Sequence, residues 1–507
     1  MSHDGAHTKR IAKNTMFLYF RMLFLICLQF YSVPIVLNGL GVENYGIYSV
    51  VGGIVTLFSF LTNSLASGSQ RFLAYAIGKR DVGLLKKVFE STVLIYWIIG
   101  IVALLILDPV CVWFLNAKMT IAESSLPAAN WVLQLSFVAF FVNLISVPYN
   151  AALIAHERMS IFAYVSILDG VLKLGAAISL KFYSGDGLVF YAVLILLINV
   201  LVRVVYQIYC RISFVECKKV HFALDRSVGR QLLAYLSWNI VGAAAGLLRN
   251  QGLNVVLNLF FGPALNAAHS IAQQVHGTLN QFINNLYLAT RPRLAKCFAS
   301  NEIEEMWNLT RISGKLAFFL LMLVVVPVLA ESKFLLNLWL GSVPQYTEDI
   351  LLLLIAGLLL ETLVNPIIGV FQAQNKIKKY QLYSSSLLIM VLPISFFLLK
   401  NDSSFVLVPY IVSTIFSFFF VCSILYVAKK ELEIDLKKTL VDGCLRELLT
   451  IVLVALPVML VSKNFDEGLD RCAVTFAMTI LMSLLCIWGI GLNRNERNLL
   501  KKIIQKG

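Results

Sequence analysis

The chain has 507 residues, 59% of them hydrophobic and only 14% charged, with a mean hydropathy of +0.80. That much apolar side chain excludes a soluble globular protein, because lipid must be the solvent for most of it. A net charge of +14 would favour nucleic-acid binding in a soluble chain, so the position of each basic residue decides what the charge is for.

The N-terminal MSHDGAHTKRIAKNT leads into an apolar run with no small-residue cleavage site behind it, and is expected to be retained as part of the first helix. Runs of spanning length then recur between short polar breaks. Spans are predicted over 13–37, 46–67, 89–108, 128–150, 161–181 and 188–209, then 233–258, 266–289, 314–332, 348–371, 380–399 and 405–427. Two more, over 448–462 and 472–492, have no partners in the first half. The expected fold is an all-α integral membrane protein of about fourteen transmembrane helices: two pseudo-symmetric six-helix lobes plus an extra C-terminal pair. The expected divisions are an N-lobe over 1–209, a cytoplasmic linker over 210–231, a C-lobe over 232–430, and the extra pair with a cytoplasmic tail over 431–507.

Lys and Arg in the breaks between runs fall 32 on one side and 6 on the other. This is the positive-inside pattern; it places both termini in the cytoplasm and accounts for the basic charge without nucleic acid. The nine cysteines show no CxxC and sit mostly in or beside apolar runs, as buried filler does. External breaks such as YSGDG (183–187) and KNDSS (400–404) are too short for an extracellular domain. On the inner side, 78–90 and 302–307 each precede an apolar run and read as short interfacial helices or as solvated loops. ELEID over 431–435 reads as a solvated helix face. No Walker loop, GxSxG or HExxH is present, so an enzyme and an ATP-driven pump are not expected.

The stretch FVNLISVPYNAALIAHERM, ending at Met159, returns 218 residues later as LLETLVNPIIGVFQAQNKI, with Pro148 on Pro366, His156 on Gln374 and Arg158 on Lys376. RFLA (71–74) likewise lies over PRLA (292–295), 221 residues on. Spans keep their sidedness between copies, so the repeats are parallel, related by an axis along the membrane normal. Pro148 and Pro366 are candidate hinges.

In the eighth span His269, Gln273, His276, Asn280 and Asn284 share one helical face, and in the second Ser49, Gly52, Thr56, Ser59 and Asn63 do the same. These stripes line a wet cavity or serve interhelical hydrogen bonding. Charges inside spans are costly unless paired or wet. Arg21 and Arg249 sit in the first helix of each lobe and suit a phosphate or diphosphate, with snorkelling as the alternative for Arg21. Asp169 and Lys173 stand four residues apart and either pair together or serve the cavity. Glu361 has no partner visible in sequence and could bind H+ or Na+; Asp169, His269 and His276 are the other candidates for ion coupling, with neutral hydrogen bonding as the alternative. Arg203, two turns from a helix end, is expected to snorkel. No metal or organic cofactor is expected.

The six-plus-six layout, the basic Arg21, NGLGVENYGIYSVV (38–51) and SGSQRFLA (67–74) resemble the Wzx-type polysaccharide flippases of the multidrug/oligosaccharidyl-lipid/polysaccharide exporter superfamily. The resemblance implies a monomer of the bacterial inner membrane. Such a protein moves an undecaprenyl-diphosphate-linked oligosaccharide from the cytoplasmic to the periplasmic leaflet by alternating access, among membrane lipids and other polysaccharide-assembly proteins. Two departures matter. The extra helix pair is similar to that of lipid II flippases, but those carry arginines in the second and eighth helices, where the stripes here offer Ser, Thr, Asn and His. The superfamily's drug antiporters commonly place a cation-binding acid in the first helix, where this chain has Arg21. A cation-coupled multidrug antiporter, a lipid II flippase and a membrane-embedded glycan polymerase or ligase remain the alternatives; short external loops argue against the last.

Overall fold

The structure is a computed structural model that describes residues 2–118, 123, 125–261, 263–340, 343–402, 404–462, 464–492 and 496–497. In chain order the helices of the first half are α1 (Ser2–Leu57), α2 (Ser59–Gly78), α3 (Val82–Lys118), α4 (Leu126–Ala155), α5 (Met159–Ser179), α6 (Gly187–Ser213) and α7 (Arg226–Phe261). Then follow α8 (Pro263–Ala299), α9 (Ile303–Ala330), α10 (Ser332–Leu340), α11 (Thr347–Ala373), α12 (Ile377–Asn401), α13 (Val408–Glu431), α14 (Leu436–Thr439), α15 (Arg446–Ser462) and α16 (Leu469–Cys486). No strand occurs among the described residues. Among the described residues, twelve helical segments are long and apolar enough to cross a membrane. The more polar α8, which carries one stripe, and the stretch from the end of α1 into α2, which carries the other, are not among them and bring the set close to the fourteen expected.

The repeat is written into the backbone. Helix starts recur 221 residues apart at Val82 and Ile303, Leu126 and Thr347, and Gly187 and Val408, and 218 apart at Met159 and Ile377. The same two offsets relate the left-handed residues: Arg80 (φ 56°) to Asn301 (φ 61°), and Glu157 (φ 60°) to Asn375 (φ 61°). Each follows a helix end. Beyond three of them the next backbone N–H reaches back five residues, Asp81 to Ala76, Arg158 to Leu153 and Lys376 to Phe371. That bond needs a left-handed residue just before its donor and satisfies carbonyls the helix end would otherwise leave open. Packing repeats too: α4 lies against α6 and α3 as α11 lies against α13 and α9, and α5 meets α6 as α12 meets α13.

Several boundaries differ from expectation. No loop separates the first two predicted spans; α1 is two helices that meet at a kink at Gly41 (φ 77°, ψ 165°). Only glycine adopts that conformation readily. The second transmembrane segment runs on through α2 to Gly78, so SGSQRFLA lies within a helix rather than at its close. Stretches 78–90 and 302–307 are neither interfacial helices nor solvated loops: α3 and α9 begin at Val82 and Ile303 and carry straight on. ELEID is not a helix face, because α13 ends at Glu431 and the chain stays irregular until Leu436.

The chain forms two compact units. Unit 2 comprises 8–240 with 295–301; unit 1 comprises 241–294 and 302–507, together with residues 1–7. Unit 2 centres on Leu115, Leu133, Phe137, Ala177 and Leu188, and unit 1 on Leu257, Ala268, Leu321, Ile350, Ile355 and Tyr410. The extra pair docks on α9, with Phe318, Met322 and Val326 against Ile451, Val454 and Val458.

Candidate functional site

In unit 1 the Arg249 guanidinium on α7 donates through Nη1 to Glu361 Oε1 on α11 at 3.2 Å, and Ser417 Oγ on α13 donates to the same oxygen at 3.0 Å. Glu361, which the sequence left without a partner, therefore has two. Their side chains are 16% and 25% exposed, so the pair is largely removed from solvent but not sealed. Gln273, His276, Tyr410 and Ser413 join them around a small cavity of about 20 Å³, room for about one water. Guanidinium and carboxylate cancel, so the resting cavity is close to neutral.

The α8 stripe does not act as one surface. His269 is 1% exposed and its Nδ1 lies 2.9 Å from the Tyr410 hydroxyl, while its Nε2 meets no partner among the described residues. Gln273 and His276 line the cavity. One turn and more further along, Asn284 Nδ2 donates to Asn280 Oδ1 at 3.0 Å, with Asn284 exposed. The stripe thus runs from a buried polar lock through a cavity wall to an exposed amide pair.

Unit 2 holds the remaining candidates. Arg21 on α1 donates through Nη1 to Ser166 Oγ at 3.5 Å, and its guanidinium lies 4.8 Å over the Phe162 ring, both on α5. Lys173 donates to Asp169 Oδ2 at 2.8 Å, so these two are paired along α5. Gly170, between them, lets α1 approach closely, since a Cβ there would stand 2.7 Å from Leu25. Asn63 is exposed on α2; the side chains of Ser49, Thr56 and Ser59 lie outside the described residues. Arg203 sits mid-helix on α6, and its Nη1 is buried with no hydrogen bond among the described residues, unlike a snorkelling side chain. Pro148 and Pro366 are buried inside α4 and α11, each of which continues through its proline.

Sequence reasoning passed over three charge clusters. Glu157 accepts from Lys296 at 2.6 Å and from Asn14 through its carbonyl at 3.2 Å, at the turn where the α4–α5 hairpin reverses. His156 beside it lies 2.7 Å from the buried Glu216 of the linker and stacks on Phe214 with ring centroids 4.0 Å apart. In unit 1 Arg471 binds Glu331, which has no exposed surface, at 2.7 Å, and the buried Lys315 binds Glu496 at 2.8 Å and the Gly491 carbonyl at 3.1 Å. Their signal was weak: each residue stood at the edge of an apolar run, where basic side chains usually face water.

The helices of spanning length define a multi-pass membrane fold. No family model and no curated protein matches the chain. Solved structures do. A MATE transporter in complex with MaD3S aligns with TM-score 0.70 and 15% identity over 85% of this chain and 97% of that one. A MOP-superfamily transporter from Pyrococcus furiosus, described as having a binding pocket of reversed polarity that suggests a different function, aligns with TM-score 0.68 and 16% identity over 85% and 96%. An outward-facing multidrug resistance MATE transporter of the MOP superfamily aligns with TM-score 0.68 and 15% identity over 83% and 96%. The fold is thus the one carried by these MATE and MOP-superfamily structures.

Proposed function

We propose that the chain is a flippase that moves an anionic, lipid-linked oligosaccharide, of the undecaprenyl-diphosphate type, across the bacterial inner membrane by alternating access, with both termini cytoplasmic. The observation that carries it is the sign of the charge held mid-helix. Arg21, Lys173, Arg203 and Arg249 stand against Asp169 and Glu361, and such charges are costly in a membrane unless they serve a ligand or one another. An excess of basic groups, two of them guanidiniums in corresponding helices, suits a diphosphate that accepts paired hydrogen bonds. In unit 1 the sugar head would meet Gln273, Asn280 and Asn284, and the prenyl tail would stay in lipid; in unit 2 Asn63 is the candidate polar contact. Glu361, Asp169, His269 and His276 would be the groups for any coupling to H+ or Na+. Deleting the gene should leave a lipid-linked oligosaccharide facing the cytoplasm, and unchanged surface glycan would refute the proposal.

A second reading is a cation-coupled multidrug antiporter, and the descriptions of the solved neighbours favour it over the first. It predicts that the deletion strain becomes hypersensitive to cationic drugs such as ethidium while its glycan stays normal.

A further inference from the structure

We infer that unit 2 holds a site for a phosphate carried on a lipid, on the seam between α4 and α6, built from Arg203, Arg211 and the Tyr149 hydroxyl. α6 packs along α4, and Arg203 lies ten residues before the end of α6 at Ser213, about 15 Å along the helix. It makes no hydrogen bond or ion pair among the described residues; its Nη1 is enclosed, while the side chain as a whole is half-buried. Arg211, in the last turn of α6, is exposed and equally without an ion pair. Tyr149 on α4 is 4% exposed, and its hydroxyl also bonds to nothing among the described residues. Arg203 and Arg211 both act electrostatically on that hydroxyl, so two guanidiniums converge on one buried phenol.

The charge does not depend on protonation, because a guanidinium stays charged in proteins. Glu216 acts with Arg211 on Cys217, and it already meets His156 at 2.7 Å. Taken as fully ionised beside a neutral His156, it still leaves the two arginines with a net positive charge, and a proton on either group raises it. Asp169 reaches Tyr206, one turn from Arg203, but is bonded to Lys173 at 2.8 Å. Packing explains neither polar group: an apolar side chain at 203 and phenylalanine at 149 would fill the seam without the cost of an unpaired donor. A phosphate supplies what is missing, since its oxygens accept from a guanidinium fork and from a phenol. Leu201, Val204 and Ile208 are exposed on the same helix and offer apolar surface to the chains of a lipid that bears it. That lipid is either a resident anionic phospholipid or the prenyl diphosphate of the transport proposal. The site shares no residue with the Arg249–Glu361 cavity and stands if that proposal fails.

The test titrates the purified, delipidated full chain in detergent micelles and counts bound molecules by native mass spectrometry. The probes are dioctanoyl phosphatidylglycerol and farnesyl diphosphate, with dioctanoylglycerol and farnesol as their phosphate-free counterparts. Farnesyl diphosphate is titrated in a variant carrying Arg21→Met and Arg249→Met/Glu361→Met, so that the transport proposal's own arginines do not contribute. Saturable binding of a phosphate-bearing probe over its counterpart is expected, weakened at least about tenfold by Arg203→Gln and about threefold by Tyr149→Phe. Tighter phosphatidylglycerol binding assigns the site to a resident phospholipid, and tighter farnesyl diphosphate binding to the transported lipid. Absence of saturable binding, equally tight binding of the counterparts, or unchanged affinity in Arg203→Gln would each overturn it. Unliganded Arg203→Gln should unfold no earlier than wild type; a lower midpoint would make Arg203 structural and overturn the site as well.

Discussion

Removing either half of the Arg249–Glu361 pair should cost more than removing both. Glu361→Met leaves a guanidinium beside a cavity with room for one water, and Arg249→Met leaves a carboxylate held only by the Ser417 hydroxyl at 3.0 Å. A fully buried unpaired charge costs about 3–5 kcal/mol. With the partners 16% and 25% exposed, water recovers part of that, and about 2.5 kcal/mol is expected for each single substitution. The double substitution removes both charges and replaces them with flexible apolar side chains of fair volume, at about 2 kcal/mol. The coupling is then about 3 kcal/mol, measurable as a double-mutant cycle of SDS-induced unfolding in mixed micelles. Additivity within about 0.5 kcal/mol would refute the pairing.

The same double variant tests the functional assignments of both groups. If the guanidinium contacts the diphosphate or Glu361 couples transport, Arg249→Met/Glu361→Met should be present in the membrane yet export no glycan; normal export would confine the pair to a structural role. Arg80 is exposed at φ 56°, so Arg80→Gly should raise stability by about 1 kcal/mol, whereas Gly41→Ala should lower it by at least about 1 kcal/mol, both read from unfolding midpoints. Arg471→Met, which strands the fully buried Glu331, should cost about 3–5 kcal/mol, and adding Glu331→Leu should recover much of it. Asp225 caps α7 by accepting from Ser227 and Val228, and with Lys87 these hold its carboxyl well below the usual range. A lowered folded pKa stabilises above the unfolded value of about 3.9 and is lost as pH falls through the folded one. Hydrogen-exchange protection at the start of α7 should therefore fall under acid in the wild type and show no such step in Asp225→Asn.

The repeat was legible because it rests on local chemistry. Pro148 and Pro366, the polar turn after each, and the basic residue opening the next run are all read within a few positions. The helix starts at Met159 and Ile377 and the left-handed Glu157 and Asn375 stand where that alignment puts them. The sharpness of the break in α1 was hidden: Asn38–Gly46 is rich in residues that break helices, and the two helices meet at a single non-helical residue, Gly41. Pairings were illegible for a different reason. Arg249 and Glu361 are 112 residues apart and meet only because α7, α11 and α13 pack together, and no periodicity reports which helices become neighbours. Lys315 stood at the start of the span predicted over 314–332; α9 begins eleven residues before that span, at Ile303, which sets Lys315 inside the helix, where it is buried.

The most direct test places the purified chain in liposomes containing a fluorescent undecaprenyl-diphosphate-linked saccharide and measures how much of the label becomes accessible to a membrane-impermeant quencher from the opposite side. Wild type should equilibrate the label between leaflets, and Arg21→Met with Arg249→Met/Glu361→Met should not. No movement by wild type, together with ethidium transport driven by a proton or sodium gradient in the same liposomes, would contradict the flippase and establish the drug antiporter.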